Sequence, residues 1–179
     1  MVEVFSSCLV NIEGMAYPCN MMIVAFPGSF DPPTLGHINI IERTASLFDK
    51  VVVVIAENRR KKSFFTADER LSMLNELIKP WSNVSAVIWD KLIVDYLKQE
   101  NIRILIRGIR GTEDFNYEFE LSMMNKGLYP HTETLFMTTD PKYQIMRSSA
   151  IRELASFHGD ISTMVPAIVD EEMKKRFVD

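Results

Sequence analysis

The chain has 179 residues, a length that suits one domain, and its 47% hydrophobic and 25% charged content is that of a soluble globule able to bury a core. A formal net charge of −4 argues against a dedicated nucleic-acid binder, because sequence-independent affinity for a polyanion needs a basic surface. No apolar run reaches the ~20 residues that span a bilayer and the start lacks a signal-peptide pattern, so a cytoplasmic protein with no membrane partner is expected.

Residues 1–21 carry no clean period, and Met15, Met21 and Met22 could each start translation. This stretch is expected to be an extension of unassigned role, disordered or derived from the start site, ahead of a single domain over residues 22–179. Both cysteines, Cys8 and Cys19, fall within it, so neither a disulfide framework nor a thiolate zinc site is supported.

From Met22 onward, short β-branched runs alternate with segments of helical period. MIVAF precedes the helical HINIIERTASLF. VVVVIA at 51–56 precedes a helix over about 67–79, whose start is marked by the capping box Thr66 and Glu69. VSAVI at 84–88, the helical LIVDYLKQ and IRILI at 102–106 follow, then a helix over about 113–126 and TLFMT at 134–138. Two further helices are expected after Ser149 and after Pro166, the proline suiting a first helical position. Met123 and Met124 fall at helical spacing and are read as core packing.

The apolar runs are continuous rather than alternating, which indicates strands covered on both faces and hence a parallel sheet. Right-handed crossovers then give an α/β, doubly wound, five-stranded Rossmann-like sheet in the order 3-2-1-4-5, with helices on both faces. In that order the first and fourth strands are neighbours whose connections leave toward opposite faces. The crevice beyond their carboxyl ends is the expected ligand site. The loops there are GSFDPPTLGH and RGIRGTEDF.

The first loop pairs Gly28, which permits close backbone approach, with Pro32 and Pro33, which hold it extended, before Thr34-Leu35-Gly36-His37 opens a helix. A helix start offers unpaired amides to an anion, and His37 would add a donor. The plainer alternative makes His37 a cap or surface residue. Neither the Walker pattern nor Gly-x-Gly-x-x-Gly is present. The basic run Arg59-Arg60-Lys61-Lys62 follows the second strand, either as a solvated face or as a phosphate clamp. Arg107 and Arg110 flank Gly108 after the fourth strand; each suits bidentate phosphate binding, or else an ion pair with Glu113, Asp114 or Glu118. Ser148 and Ser149 open a late helix as a further anion-suited start. Several phosphate-suited elements on one sheet edge, with no nucleophile-base pair or carboxylate pair, suit phosphoryl or nucleotidyl transfer by positioning and charge stabilisation.

PGSFDPPTLGH, the Lys61-Lys62 pair followed by FFT and an acidic helix start, LIRGIRGTEDFNYE and the late double-serine helix start together resemble the bacterial phosphopantetheine adenylyltransferases. The likeness is collinear from Met22 to the last helix. Thr-x-Gly-His is a form of the His-x-Gly-His signature of the wider nucleotidyltransferase superfamily, whereas IRGIRG and DFNYE point to this one family over relatives acting on nicotinamide mononucleotide. A non-catalytic nucleotide-binding module and an RNA-binding domain are the rival classes.

The resemblance implies reversible adenylyl transfer from ATP to 4′-phosphopantetheine, giving dephospho-coenzyme A and pyrophosphate, with Mg²⁺ arriving on ATP rather than in a carboxylate cage. It implies catalytic roles for His37, Lys61 and Arg110, with His37 donating to the α-phosphate. Nucleotide contacts fall to Ser29, Phe30, His37, Gly108, Ile109, Arg110, Glu118, Tyr143, Gln144, Ile145, Met146, Arg147, Ser148 and Ser149, and acceptor contacts to Ser29, Lys61, Ile93 and Arg107. It further implies a homohexamer and feedback inhibition by coenzyme A. Ser29 stands where the family commonly has threonine, and two departures from its pattern matter: Arg147 stands where the family tends to serine, and the first 21 residues have no family counterpart.

Overall fold

The computed structural model describes residues 21–57 and 62–177, together with the backbone of residues 9–12 and 15–18. Within the first 21 residues, β1 (Leu9–Ile12) and β2 (Met15–Pro18) pair antiparallel as a two-stranded sheet of their own. Short apolar runs, Leu9-Val10 and Met15-Ala16-Tyr17, stand on either side of Glu13-Gly14 in the sequence, a spacing that suits two paired strands.

The domain proper runs β3 (Ile23–Gly28), α1 (Leu35–Leu47), β4 (Lys50–Ala56), α2 (Ala67–Leu77), β5 (Val84–Trp89), α3 (Ile93–Gln99), β6 (Ile104–Ile109), α4 (Thr112–Leu128) and β7 (Glu133–Thr138). A 3-10 turn at Pro141–Tyr143 leads to α5 (Ser148–Ser156) and α6 (Ala167–Arg176). All five strands from β3 to β7 are parallel, in the spatial order β5-β4-β3-β6-β7, which is the expected 3-2-1-4-5.

The valine run of β4 shows why both faces of the sheet are covered. Val51, Val53 and Ile55 join Ile40, Ile41 and Leu74 of α1 and α2, whereas Val52 and Val54 join Tyr96 and Leu97 of α3. Each such side chain, taken fully out of water, contributes about 1.5–3 kcal/mol. A third cluster ties Phe65 and Met73 to Ile151, Ile161, Val165 and Val169, seating α5 and α6 against α2.

Helix ends follow local chemistry. Thr66 and Glu69 close the capping box expected for α2, while Pro166 serves as N-cap of α6 rather than its first helical residue. Helix α4 departs further: none of its residues is buried, and Met123 and Met124 are 59% and 57% exposed, so they are not core packing. α4 lies toward the β7 edge, where the sheet ends and supplies no second layer to bury a helix with apolar residues on several sides.

Register places the site. β3 pairs with β4 over its full length, from Ile23 with Lys50 to Gly28 with Ile55. With β6 it pairs only at Val24–Ile104 and Ala25–Leu105. Beyond Ala25 the two central strands diverge toward their carboxyl ends, opening a crevice between Pro27-Gly28 and Arg107-Gly108.

Candidate functional site

The crevice is a cleft lined by β3-loop residues Pro27, Gly28 and Ser29, by Gly36 and His37 of α1, by Arg107, Gly108 and Arg110 at the end of β6, and by Glu118, Tyr143 and Met146. The glycines keep it open. A Cβ at Gly28 would lie 3.0 Å from the Phe30 ring, and one at Gly36 would lie 3.6 Å from Tyr143 Cβ. Phe30 is a non-glycine residue in the left-handed region, with φ 49° and a fully buried ring that meets Phe26 at 5.5 Å and His37 at 4.9 Å, both edge-on. Burial of that ring holds a backbone conformation that costs energy in isolation. Phe30 therefore sits beneath the cleft, packed against His37, and is not part of its lining.

His37 proves to be a cap and a cleft residue at once. It is the third residue of α1, and its backbone N–H donates to Thr34 Oγ1 at 3.3 Å while Thr34 N–H donates to its Nδ1 at 3.0 Å. A nitrogen that accepts a backbone N–H carries no proton, so in the neutral ring the proton resides on Nε2. Burial, and secondarily the charge of Arg110, lower its pKa from 6.5 to about 4. The side chain is thus a neutral donor at neutral pH, oriented by the helix that it caps.

Each of the two arginines of IRGIRG meets a carboxylate. Arg107 grips both oxygens of Glu118 through Nε and Nη2, with Nε to Oε2 at 2.5 Å, and donates through Nη1 to the Pro27 carbonyl at 2.6 Å. It therefore staples the diverging strands β6 and β3. Arg110 Nε donates to Asp114 Oδ2 at 2.9 Å, and its Nη1 lies 3.4 Å from the Met146 carbonyl. The second oxygen of Asp114 lies 3.9 Å from Arg147, whose side chain is 53% exposed. Glu118, expected at the nucleotide, thus lies within the cleft lining as the partner of Arg107.

The segment before α5 folds over the mouth of the cleft. Tyr143 packs against the start of α1, Gln144 Nε2 donates to the Arg110 carbonyl at 2.9 Å, and Ile145 is 81% exposed. The serine pair opens α5: Arg147 is the N-cap, Ser148 donates to the Pro32 carbonyl at 2.9 Å, and Ser149 is exposed in the first turn. Helix α5 therefore keeps amides free of any side-chain cap while Ser148 ties it to the first loop.

Ile93 opens α3 and packs on the α3 side of the sheet, outside the cleft lining, and Ile109 borders an adjoining hollow with Gly111, Phe115 and Thr139. Lys61, with Asn58, Arg59 and Arg60, lies outside the described residues. Two residues missed in the sequence frame this segment. Asp31, 6% exposed, accepts from the backbone N–H groups of Phe64 at 2.8 Å and Phe65 at 2.9 Å. Arg70, 1% exposed, reaches the Ser29 carbonyl at 2.8 Å. Arg70 could have been found from its spacing, since it falls on the same face of α2 as Met73, Leu74 and Leu77, where a charge demands partners.

Among the described residues no group of three or more His, Cys, Asp or Glu side chains could hold a metal ion, and no helix is long and apolar enough to cross a membrane. What the cleft assembles is a neutral imidazole donor at a helix start, two guanidiniums and backbone amides around a glycine-lined crevice. Such a set holds and neutralises phosphate oxygens.

Comparison with known proteins agrees with that chemistry. Residues 25–154 match the family described as Cytidylyltransferase-like. The phosphopantetheine adenylyltransferase of Dictyoglomus thermophilum is 45% identical over 157 residues, covering 88% of this chain and 96% of its own. That of Alkaliphilus metalliredigens is 38% identical over 156 residues, covering 87% and 99%. Among solved structures, a candidate nicotinate-nucleotide adenylyltransferase from Vibrio parahaemolyticus superposes with a TM-score of 0.63 at 19% identity, over 88% of this chain and 93% of that one, a likeness of fold alone.

Proposed function

The chain belongs to the phosphopantetheine adenylyltransferase family, and from that premise we propose that it transfers the adenylyl group of ATP to 4′-phosphopantetheine, yielding dephospho-coenzyme A and pyrophosphate. An oxygen of the acceptor phosphate attacks the α-phosphorus in line, the bond to the bridging oxygen of pyrophosphate breaks, and no enzyme-bound intermediate forms. The single observation that carries this mechanism is His37: its Nδ1 is fixed by Thr34, its proton sits on Nε2, and its ring lines the cleft. Nε2–H then donates to an α-phosphate oxygen as charge builds there, and no proton transfer to or from the ring is required.

Arg110 stabilises the leaving phosphates, with the uncapped start of α5 and Arg147 beside it. Arg107 meets the acceptor phosphate after sharing or releasing Glu118, and Lys61 approaches the same phosphate from the segment after β4. Ser29 and the Phe30 backbone align the reacting groups, and Ile93 borders the pantetheine arm. Mg²⁺, if carried in with ATP, would supply charge neutralisation of its phosphates; Glu118 and Asp114, the carboxylates nearest the arginines, are each engaged by one of them, which does not suit a resident ion. We further propose a homohexamer, feedback inhibition by coenzyme A and a cytoplasmic setting, the first supported by the bare apolar side of α4.

Pyrophosphate release from ATP tests this function. Release is expected with 4′-phosphopantetheine and not without it. Turnover of nicotinamide mononucleotide with phosphopantetheine ignored would overturn the assignment, and salt-sensitive RNA binding without turnover would favour the RNA-binding rival.

A further inference from the structure

The helix that carries His37 also holds the chain that leaves β7, and none of the roles above uses that contact. Three residues on one face of α1 make it, at spacings of three and four: Gly36, Asn39 and Arg43. Arg43 Nη1 donates to the Thr138 carbonyl at 2.6 Å, and the same nitrogen lies 3.8 Å from Asp140 Oδ1. Asn39 Nδ2 donates to Asp140 Oδ2 at 3.0 Å, while Asn39 Oδ1 accepts from the Asp140 backbone N–H at 3.4 Å. Gly36 leaves room for Tyr143, whose Cβ would lie 3.6 Å from a Cβ built there. Residues 138–143 are thereby laid along α1 in a fixed register. Asp140 opens the turn, and Tyr143 closes it by donating its N–H to the Asp140 carbonyl at 2.9 Å.

The partner sets the identity of Asn39, which is 8% exposed. Asp140 presents a carboxylate that only accepts and an N–H that only donates, and one carboxamide answers both. A leucine of like size would leave both unmatched, and an aspartate would set a second carboxylate against the first. Asparagine is also a weak helix former, so nothing within α1 itself favours it at this position.

We propose that Asn39 is a positioning residue for the nucleotide: through Asp140 it fixes the cleft-covering segment against the helix that presents His37. Tyr143 and Met146 of that segment line the cleft together with His37 and Arg110, and Gln144 donates to the Arg110 carbonyl. A segment free to slip along α1 would carry these groups with it. The assignment rests on the function proposed above in taking ATP as the ligand under the segment. Among the described residues no side-chain hydrogen bond joins Ile93 or Arg107, the contacts given to the acceptor alone, to Asn39 or to residues 138–143. Loss of Asn39 therefore falls on the nucleotide and not on the acceptor.

The full-length protein would be compared with its Asn39→Asp and Asp140→Ala variants, and with both Asn39→Asp and Asp140→Asn in one chain, by steady-state kinetics, ATP calorimetry and thermal melting. Asn39→Asp is expected to raise KM and Kd for ATP about tenfold or more, the scale of one lost hydrogen bond to a charged group, with KM for 4′-phosphopantetheine unchanged. The double variant exchanges acid and amide across the contact, so that donors and acceptors match again. It is expected to return both ATP constants to within about threefold of wild type. Asp140→Ala removes a side chain that is 42% exposed, is expected to fold, and raises the ATP constants at least about threefold; it decides if Asn39→Asp does not fold. An unchanged ATP Kd in the folded single variants, constants for both substrates rising together, or a double variant no better than Asn39→Asp would overturn the assignment. Calorimetry needs no turnover. A wild type that binds ATP but releases no pyrophosphate with the acceptor overturns the proposed function alone, and the Kd comparison still decides Asn39, whereas a wild type that binds no ATP overturns both.

Discussion

At the scale of the residue, His37 joins two tasks that are separable by substitution. Glutamine at the third helical position can still accept the Thr34 N–H, as in a capping box, but cannot present the imidazole Nε2–H at the same place. His37→Gln is therefore expected to lower kcat by about 10²–10³-fold, the usual loss for one donor to developing charge, while the melting temperature moves little. Acid stability gives a second measurement. The unfolded chain takes up a proton on this imidazole near 6.5, but the folded protein does so only near about 4, because burial disfavours the charged ring. Between those values protonation favours the unfolded state, so stability falls as pH drops from 6.5 toward 4, by about 3 kcal/mol at most for this group. Denaturant titrations of wild type and His37→Gln should diverge over that window and run parallel above it; parallel curves throughout would refute the lowered pKa.

At the scale of the element, α4 is the part of the fold that makes least sense in a single chain. Phe115 packs edge-on against Phe136 of β7 at 5.3 Å, yet Tyr117, Phe119, Met123, Met124 and Leu128 are all substantially exposed, and Leu135 of the edge strand lies open as well. A patch of this kind is the surface that the proposed homo-oligomer would bury. Replacing Met123 and Met124 together by glutamate puts two charges on that face without touching the sheet. The expected result in sedimentation is dissociation to smaller species with the far-ultraviolet spectrum retained. An unchanged sedimentation coefficient would remove α4 from the interface.

At the scale of the whole molecule, the hairpin β1–β2 forms a sheet apart from the catalytic one, and the doubly wound domain begins at its first strand. At the junction the Met22 backbone nitrogen donates to Asp49 Oδ2 at 2.7 Å, and Lys50 N–H donates to the Met22 carbonyl. A chain starting at Met22 would place an ammonium beside the same carboxylate. It is expected to keep acceptor-dependent pyrophosphate release and to melt within a few degrees of the full chain; loss of activity would give the hairpin a part in the site.

Much of this was written in the linear order of residues, for reasons that are local. Unbroken β-branched runs mark two-sided strands, Thr66 with Glu69 marks a helix start, and glycine and proline around His37 mark a loop that must pass close to a ligand. These spacings alone determined the sheet order and the edge on which the cleft lies, since chirality leaves few alternatives. Only the tertiary structure decided which partner each charged group takes. Arg107 could pair with phosphate or with a carboxylate, and the divergence of β3 from β6 sets it between Pro27 and Glu118. Ser148 donates to the Pro32 carbonyl, Met124 faces outward because the sheet ends beside α4, and Arg70 meets Ser29 from 41 positions away. Such choices depend on distances closed by the packed core, which residue order alone does not contain.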